Sequence, residues 1–287
     1  MEREPMAILT IARKFASGAR EIGQEVAQQL SYEYVDRGRI LEDMKKEGNQ
    51  WEEKAKYFDE NYPDVWERYD WAFRGFVALN QYYFLNHALT DNVVIMGRGG
   101  NFLLRTIPHA LRVRVIAPME KRIERVMQRE GVNSENARWL IEKADREMAG
   151  AIHLIYGRDW DDPAEYDRVF DTGIQTFEET LGEIKEGLLQ KEKQNTAKGR
   201  TALQIRVLAA KVKAAITTNP KFWISVLDVE PKEEGMAEQG LVVRGVVHHQ
   251  GDIPEIEETA KKLAGDVTIE CSLQYRWYPR LGPWRFK

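Results

Sequence analysis

Hydrophobic and polar positions along the chain alternate between a strand-like and a helix-like spacing. Ile8-Leu9-Thr10-Ile11-Ala12 is an apolar run of the kind a buried strand uses, and the small-residue stretch Arg13–Arg20 after it reads as a loop. From Glu21 to Leu30 the apolar residues Ile22, Val26, Ala27 and Leu30 recur at helical spacing. Tyr32–Asp36 is a second short strand ending in an acid. Arg39 to about His87 is polar and aromatic with helical periodicity, its aromatic series running from Trp51 to Tyr83. Asn92–Met96 is an apolar strand entering Gly97-Arg98-Gly99-Gly100, and Leu111–Ala117 is another strand. Helices are expected over Glu120–Glu130 and from Asn133, an Asn-Ser cap signal, to about Ile155. Tyr166–Phe170 closes the strands before Asp171-Thr172-Gly173, and a helix follows from Thr176 to about Gln190. Strands separated by helices predict an α/β fold, a parallel sheet with helices on both faces.

The pattern then changes. Glu186–Arg200 is polar without apolar periodicity and marks a linker or an exposed helix. Beyond it come a helix over Ala202–Thr217, a strand over Phe222–Val229, a charged turn over Glu230–Gln239, a strand over Leu241–His248, a helix over Ile253–Leu263 and a strand over Val267–Tyr275. This is a small α+β unit of order αββαβ. The expected division is a domain over 1–190, a linker over 191–200, a second domain over 201–276 and a basic-aromatic tail over 277–287.

Composition narrows the function classes. The chain has 287 residues, 31% of them charged, with a net charge of −4, so it has no bulk basic signature for nucleic acid. A single cysteine, Cys271, excludes an internal disulfide framework and fits a reducing compartment. No apolar run approaches the roughly 20 residues of a membrane span, and MEREPM at the start holds no signal-peptide core. A soluble cytoplasmic protein is expected. The five histidines are scattered apart from His248-His249, which a strand would point to opposite faces, so a zinc site is not expected.

The candidate chemistry lies in the first loop. Strand, small-residue loop and helix is the order of a phosphate-binding unit, in which backbone N–H groups and the positive end of a helix face one anion. Arg20 sits where the pattern G-x-x-x-x-G-K-[ST] has its lysine. Lys14 and Ala19 replace the two glycines, and Glu21 replaces the hydroxyl residue that holds Mg²⁺. The bland alternative is that Ser17, Gly18 and Ala19 only allow a tight turn, with Arg20 and Glu21 solvated. Arg122, Arg125 and Arg129 fall on one helix face, either solvated or gathered on a phosphate. Arg98 lies between glycines at a strand's C-terminal end, where open α/β sheets bind ligands. Asp36 either orients a sugar hydroxyl or metal-bound water, or begins a turn. Asp171 and Thr172 either support the base-side wall or cap the helix that follows, capping being the expectation.

Four blocks together resemble the cytidylate-kinase-like family of P-loop nucleoside monophosphate kinases. Ala16-Ser17-Gly18-Ala19-Arg20-Glu21-Ile22-Gly23 is similar to the family's G-S-G-G-R-E-I-G, in which Arg already replaces lysine. Tyr34-Val35-Asp36-Arg37 resembles its Y-x-D-R, Ile95–Gly100 its I-G-R-G-G loop, and Ala117–Arg125 its A-P-x-E-x-R-x-x-R lid. Trp160-Asp161-Asp162-Pro163 and Tyr166-Asp167 resemble its late W-x-D-P…Y-D stretch. The resemblance implies a P-loop domain that uses ATP with Mg²⁺ and a nucleoside monophosphate acceptor, CMP being the family expectation. It implies that Ser17, Gly18, Ala19, Arg20 and Glu21 form the ATP site, with Arg20 on the β- and γ-phosphates. Arg37 and Arg98 would hold the acceptor phosphate beside Asp36, and Arg122 and Arg125 the transferring group. Two departures stand out. The lid arginine three residues after Asp145 is Met148, with Arg146 on another helix face, and Ala16 and Ala19 add Cβ atoms where backbone should approach phosphate. A non-catalytic nucleotide sensor and an interaction protein that keeps only the fold are the rival readings. The αββαβ unit resembles a BON-type domain, which implies a ligand- or partner-binding module.

Overall fold

The computed structural model describes residues 7–54, 70–97, 99–232 and 240–277. These fall into two compact units, one within Met1–Arg68 and Tyr83–Leu203, the other within Tyr69–Tyr82 and Gln204–Lys287.

The first unit is built on five parallel strands: β1 (Ile8–Arg13), β2 (Glu33–Val35), β3 (Val93–Met96), β4 (Ala110–Ile116) and β5 (Arg168–Asp171), in the order β2-β3-β1-β4-β5. Its helices are α1 (Ala19–Leu30), α2 (Arg37–Met44), the C-terminal part of α3 (Trp71–Ala88), α4 (Gly100–Leu103), α5 (Met119–Glu130), α6 (Ser134–Tyr156), α7 (Phe177–Glu192) and the start of α8 (Ala197–Thr217). This is a P-loop-kinase-like α/β arrangement.

Strand periodicity explains the core. Leu9, Ile11, Val94, Met96, Val113, Val115 and Phe170 share one sheet face with Ile22 and Val26 of α1 and Leu181, Ile184 and Leu188 of α7. Both faces of β1 are covered, so its residues 8–12 are all buried, which is why it reads as a continuous apolar run. Four alternations bring the C-terminal ends of β1, β3 and β4 side by side, and the crevice between the loops that follow them is where such sheets place their ligands.

Several expectations shift by a turn. α1 begins at Ala19, two residues early, because Gly18 adopts a left-handed φ of 84° that lets the helix start directly from the loop. Of the polar stretch 186–200, residues up to Glu192 complete α7 and those from Ala197 open α8, leaving 193–196 as the connection. Leu188 on the core face of α7 sustains that helix. The aromatic series contributes core at Trp51, Phe73 and Tyr83, joined by Phe84 just beyond it; Tyr57, Phe58 and Trp66 lie outside the described residues.

The second unit follows the expected αββαβ order: α8, β6 (Ile224–Pro231), β7 (Gly240–Val247), α9 (Asp252–Ala264) and β8 (Thr268–Tyr275). β7 is central, antiparallel to β6 and parallel to β8. Val212 and Ile216 of α8 and Ile256 and Ala260 of α9 cover Ile224, Val229, Leu241, Val243 and Val247. The N-terminal two thirds of α3, up to Tyr82, belongs here too, with the Arg74 guanidinium donating to the Ile224 carbonyl. β7 ends at Val247, so His248 and His249 lie in the following turn rather than on the strand. There the His248 ring lies 5.2 Å from Trp223, tilted 59° to it, and His249 pairs with Asp252 at 3.1 Å. Most of the charged turn and the tail beyond Trp277 lie outside the described residues.

Candidate active site

The loop between β1 and α1 forms the site's floor. Ala16 and Gly18 both take positive φ, 59° and 84°. Ser17 donates its N–H to the Lys14 carbonyl at 3.2 Å, closing the turn. No side chain caps α1, so its first-turn N–H groups face the mouth of the loop without an internal partner from a cap. Ser17 is buried, and its Oγ has no hydrogen-bond partner among the described residues.

Arg125 of α5 crosses this loop. Its Nη1 donates to the Ala16 carbonyl at 3.2 Å and to Thr172 Oγ1 at 3.1 Å, and it lies 3.5 Å from where a Cβ on Gly18 would stand. Thr172 in turn donates to the Ser17 carbonyl at 2.7 Å. A guanidinium is thus fixed above a glycine at a helix N-terminus.

Arg122, one turn earlier, is buried and faces elsewhere. Its Nη1 pairs with Asp145 Oδ2 at 2.6 Å and donates to the Phe15 carbonyl at 3.4 Å, while Asp145 Oδ1 accepts from the Phe15 N–H at 3.0 Å. Asp145, on α6, therefore joins α5 to the loop and balances the charge of Arg122. Met148, on the same helix, is half-buried, and Arg146 is exposed. Arg129 is exposed, its guanidinium 5.0 Å from the centre of the Phe15 ring.

The other side of the loop carries the remaining candidates. Arg20 and Glu21 are exposed in the first turn of α1, and Ala19 is buried. Asp36 caps α2, accepting from the Arg39 N–H at 3.2 Å, and Arg37 is half-buried beside it. Arg98 lies outside the described residues; Gly100, two positions on, packs so closely that a Cβ there would stand 2.2 Å from Thr10 Oγ1. Arg13, at the end of β1, joins this side. Burial holds its guanidinium below the usual arginine range; Tyr34, Asp36 and Glu21 oppose that shift and Arg20 adds to it.

Three groups take roles that the sequence reading did not give them. Lys14, at the pattern's first glycine position, turns away from the loop to pair with Asp161 at 3.2 Å and to sit 5.8 Å over Trp160. Arg114, buried on β4, donates to the Trp160 carbonyl and to Asp161 and lies between the Trp160 and Tyr166 rings, 4.7 and 5.4 Å from their centres. Burial pushes the Tyr166 hydroxyl up to about 12 against the opposing pull of Arg114. The third is Thr172, which does not cap the following helix. Thr176 does that, in a reciprocal capping box with Glu179. The Asp171 carboxylate accepts from the Gly173 N–H at 2.8 Å and shapes the turn that carries Thr172 to the loop.

This loop, its crossing arginine and the late Trp-Asp-Pro stretch all lie inside one matched region: the description "Cytidylate kinase-like family" fits residues 8–174. The chain belongs to the cytidylate kinase-like family. A cytidylate kinase from Methanopyrus kandleri is 28% identical over 197 residues, 64% of this chain and 96% of that protein. A segment of 108 residues is 32% identical to a uronate isomerase from Corynebacterium glutamicum, covering 36% of this chain but 20% of that protein. Among solved structures, an uncharacterized protein from Eubacterium ventriosum shares the fold, with a TM-score of 0.50 at 19% identity, over 64% of this chain and 98% of that one. Among the described residues no helix is long and apolar enough to cross a membrane, and no group of three or more His, Cys, Asp or Glu is placed to hold a metal ion.

Proposed function

We propose that the first unit transfers the γ-phosphoryl group of ATP to a nucleoside monophosphate, with CMP the acceptor the family favours. Arg125 carries this reading, because it holds a permanent positive charge over a left-handed glycine at an uncapped helix N-terminus. Phosphoryl transfer needs little covalent help from protein and much charge placed in advance. An acceptor phosphate oxygen attacks the γ-phosphorus, the bond from that phosphorus to the bridging β-oxygen breaks, and ADP leaves. The uncapped N–H groups of α1 and the orphaned Ser17 Oγ suit phosphate oxygens. Arg20 reaches the β- and γ-phosphates from the first turn. Arg125 neutralises charge on the moving group, and Arg122 joins it when Asp145 releases it. Arg37 and Arg98 hold the acceptor phosphate, with Asp36 fixing the start of the helix that carries Arg37.

Mg²⁺ arrives with ATP. Glu21, an exposed carboxylate where the usual pattern has a hydroxyl, would be the residue available to such an ion, which would supply charge neutralisation on the phosphates.

One observation favours a second reading. Arg122 is charge-paired with Asp145, and Met148 brings no cation to the lid. A nucleotide sensor, binding without turnover and signalling through a BON-like second unit, fits that arrangement. A panel of nucleotides by thermal shift, followed by ADP release with each monophosphate, separates the two. Turnover with CMP supports the kinase, and binding without turnover supports the sensor. Arg20→Ala is expected to weaken ATP about tenfold or more, as loss of a charge-assisted contact does, without lowering stability. Unchanged ATP affinity would remove this loop as the donor site.

A further inference from the structure

The three-stranded sheet of the second unit has two edges, and the chain treats them differently. β6 carries an irregularity between Ile224 and Val226, ends in Pro231 and exposes Asp228 and Glu230. Its Ile224 carbonyl is already taken by Arg74. Bulges, prolines and charges are the usual means of keeping an edge strand from pairing. β8, at the opposite edge, has neither bulge nor proline. It runs eight residues in unbroken register with β7, contains no proline, lysine or arginine, and carries one charge, Glu270. Among the described residues no strand pairs with its outer side. Its helix-side residues Ile269, Cys271 and Leu273 pack on the core yet remain half-buried. An edge of this length with incompletely covered apolar side chains is a template for another strand.

Self-complementarity selects the occupant. A two-fold axis through Cys271, perpendicular to the sheet, sets Ile269 opposite Leu273 of a second copy and the two Cys271 residues opposite each other. On the other face it sets Glu270 opposite Ser272, and Thr268 opposite Gln274, so the two Glu270 carboxylates lie on a diagonal rather than directly opposed. A register centred on Glu270 would oppose two carboxylates instead. The same axis lays α9 antiparallel beside α9 of the second copy. Glu257 and Lys261 are the α9 charges nearest in effect to Cys271: burial pushes its thiol up, Glu257 adds to the shift and Lys261 opposes it. They pair with each other at 3.9 Å. We infer that this chain forms a symmetric dimer in which two β8 strands pair antiparallel about Cys271, joining two three-stranded sheets into one of six strands.

Sedimentation of the full chain over about 1–100 µM tests this. The expected species is twice the 33.3 kDa of one chain. Ser272 is exposed, so charge can be added there without disturbing the core. Ser272→Glu places like charges opposite Glu270 twice and should weaken the dimer by about 2- to 30-fold, and Ser272→Lys should tighten it by a similar factor. A short bis-maleimide should link two wild-type chains through Cys271 and leave Cys271→Ser unlinked. A monomer throughout that range, a dimer that both charges shift in the same direction, or a dimer that the reagent cannot link would each overturn the proposal.

Discussion

Thr172 shows how a single hydroxyl governs the loop. It donates to the Ser17 carbonyl and accepts from Arg125, so the loop and the guanidinium above it share one anchor. Removing the hydroxyl leaves a loop carbonyl without its donor and frees Arg125 to rotate. Thr172→Val is nearly the same size, so its effect comes from the lost hydrogen bonds. On the proposed chemistry, kcat should fall about 10- to 100-fold with little change in the KM for ATP, because Arg125 acts mainly on the charge that develops during transfer. Thr172→Ser should restore most of the rate. Equal rates for the valine and wild-type enzymes would show that Arg125 finds its place without this anchor. Nothing in the local sequence marks Thr172 for this role, since its partners lie 155 and 47 residues away along the chain. Arg20 and Gly18, by contrast, are legible, because a loop-to-helix junction is a local feature.

At the scale of elements, periodicity identifies strands and helices well where one face is buried, as in α1 and α7. It fails where long-range polar contacts decide. Arg112 and Arg114 lie on a strand that reads as a simple alternation, yet each secures a distant segment of chain. Arg112 holds Asp167 just before β5: its backbone N–H and Nε donate to Oδ2 at 2.8 and 3.2 Å, and its Nη2 to Oδ1 at 3.0 Å. Lys191 of α7 adds a contact at 3.5 Å. Burial raises the tendency of this carboxyl to stay protonated, but the bonds from Arg112 and the charge of Lys191 outweigh it, so it ionises below its ordinary range. A carboxyl whose folded pKa is depressed adds stability that is complete above its unfolded value, near 3.9, and is lost as pH falls through the lower folded value. Asp167→Asn should therefore cost about 1.5–3 kcal/mol at pH 7. The gap from wild type should narrow as pH drops below about 4. Urea unfolding at a series of pH values measures both; a constant gap down to pH 3 would mean that packing, not charge, is lost in the variant.

For the whole molecule, the decisive feature is that the second unit is not contiguous in sequence. A division into residues 1–190 and 201–276 treats it as a C-terminal appendage, and hydropathy alone suggests no other reading. Yet Tyr69–Tyr82 belongs with it, and Arg74 supplies a hydrogen bond to the first strand of its sheet. The pattern could not show this, because α3 is one continuous helix whose residues up to Tyr82 and from Tyr83 serve different units. A consequence follows for dissection of the chain. A fragment from about Gly199 onward keeps α8, α9 and all three strands, but lacks the α3 segment that serves β6. A unit of roughly 80 residues has a small core and tolerates little loss. The fragment should fold cooperatively but with a midpoint well below that of the same unit in the full chain. Arg74→Ala in the full chain should lower that unit's stability by about 0.5–1.5 kcal/mol, the worth of one intramolecular hydrogen bond, and leave nucleotide binding by the first unit unchanged. Hydrogen exchange separates these effects, because faster exchange in β6 and β7 with unaltered β1 and β4 assigns the loss to the second unit. If the isolated fragment proves as stable as the unit in the full chain, the α3 segment merely rests against the sheet and the simple C-terminal division is restored.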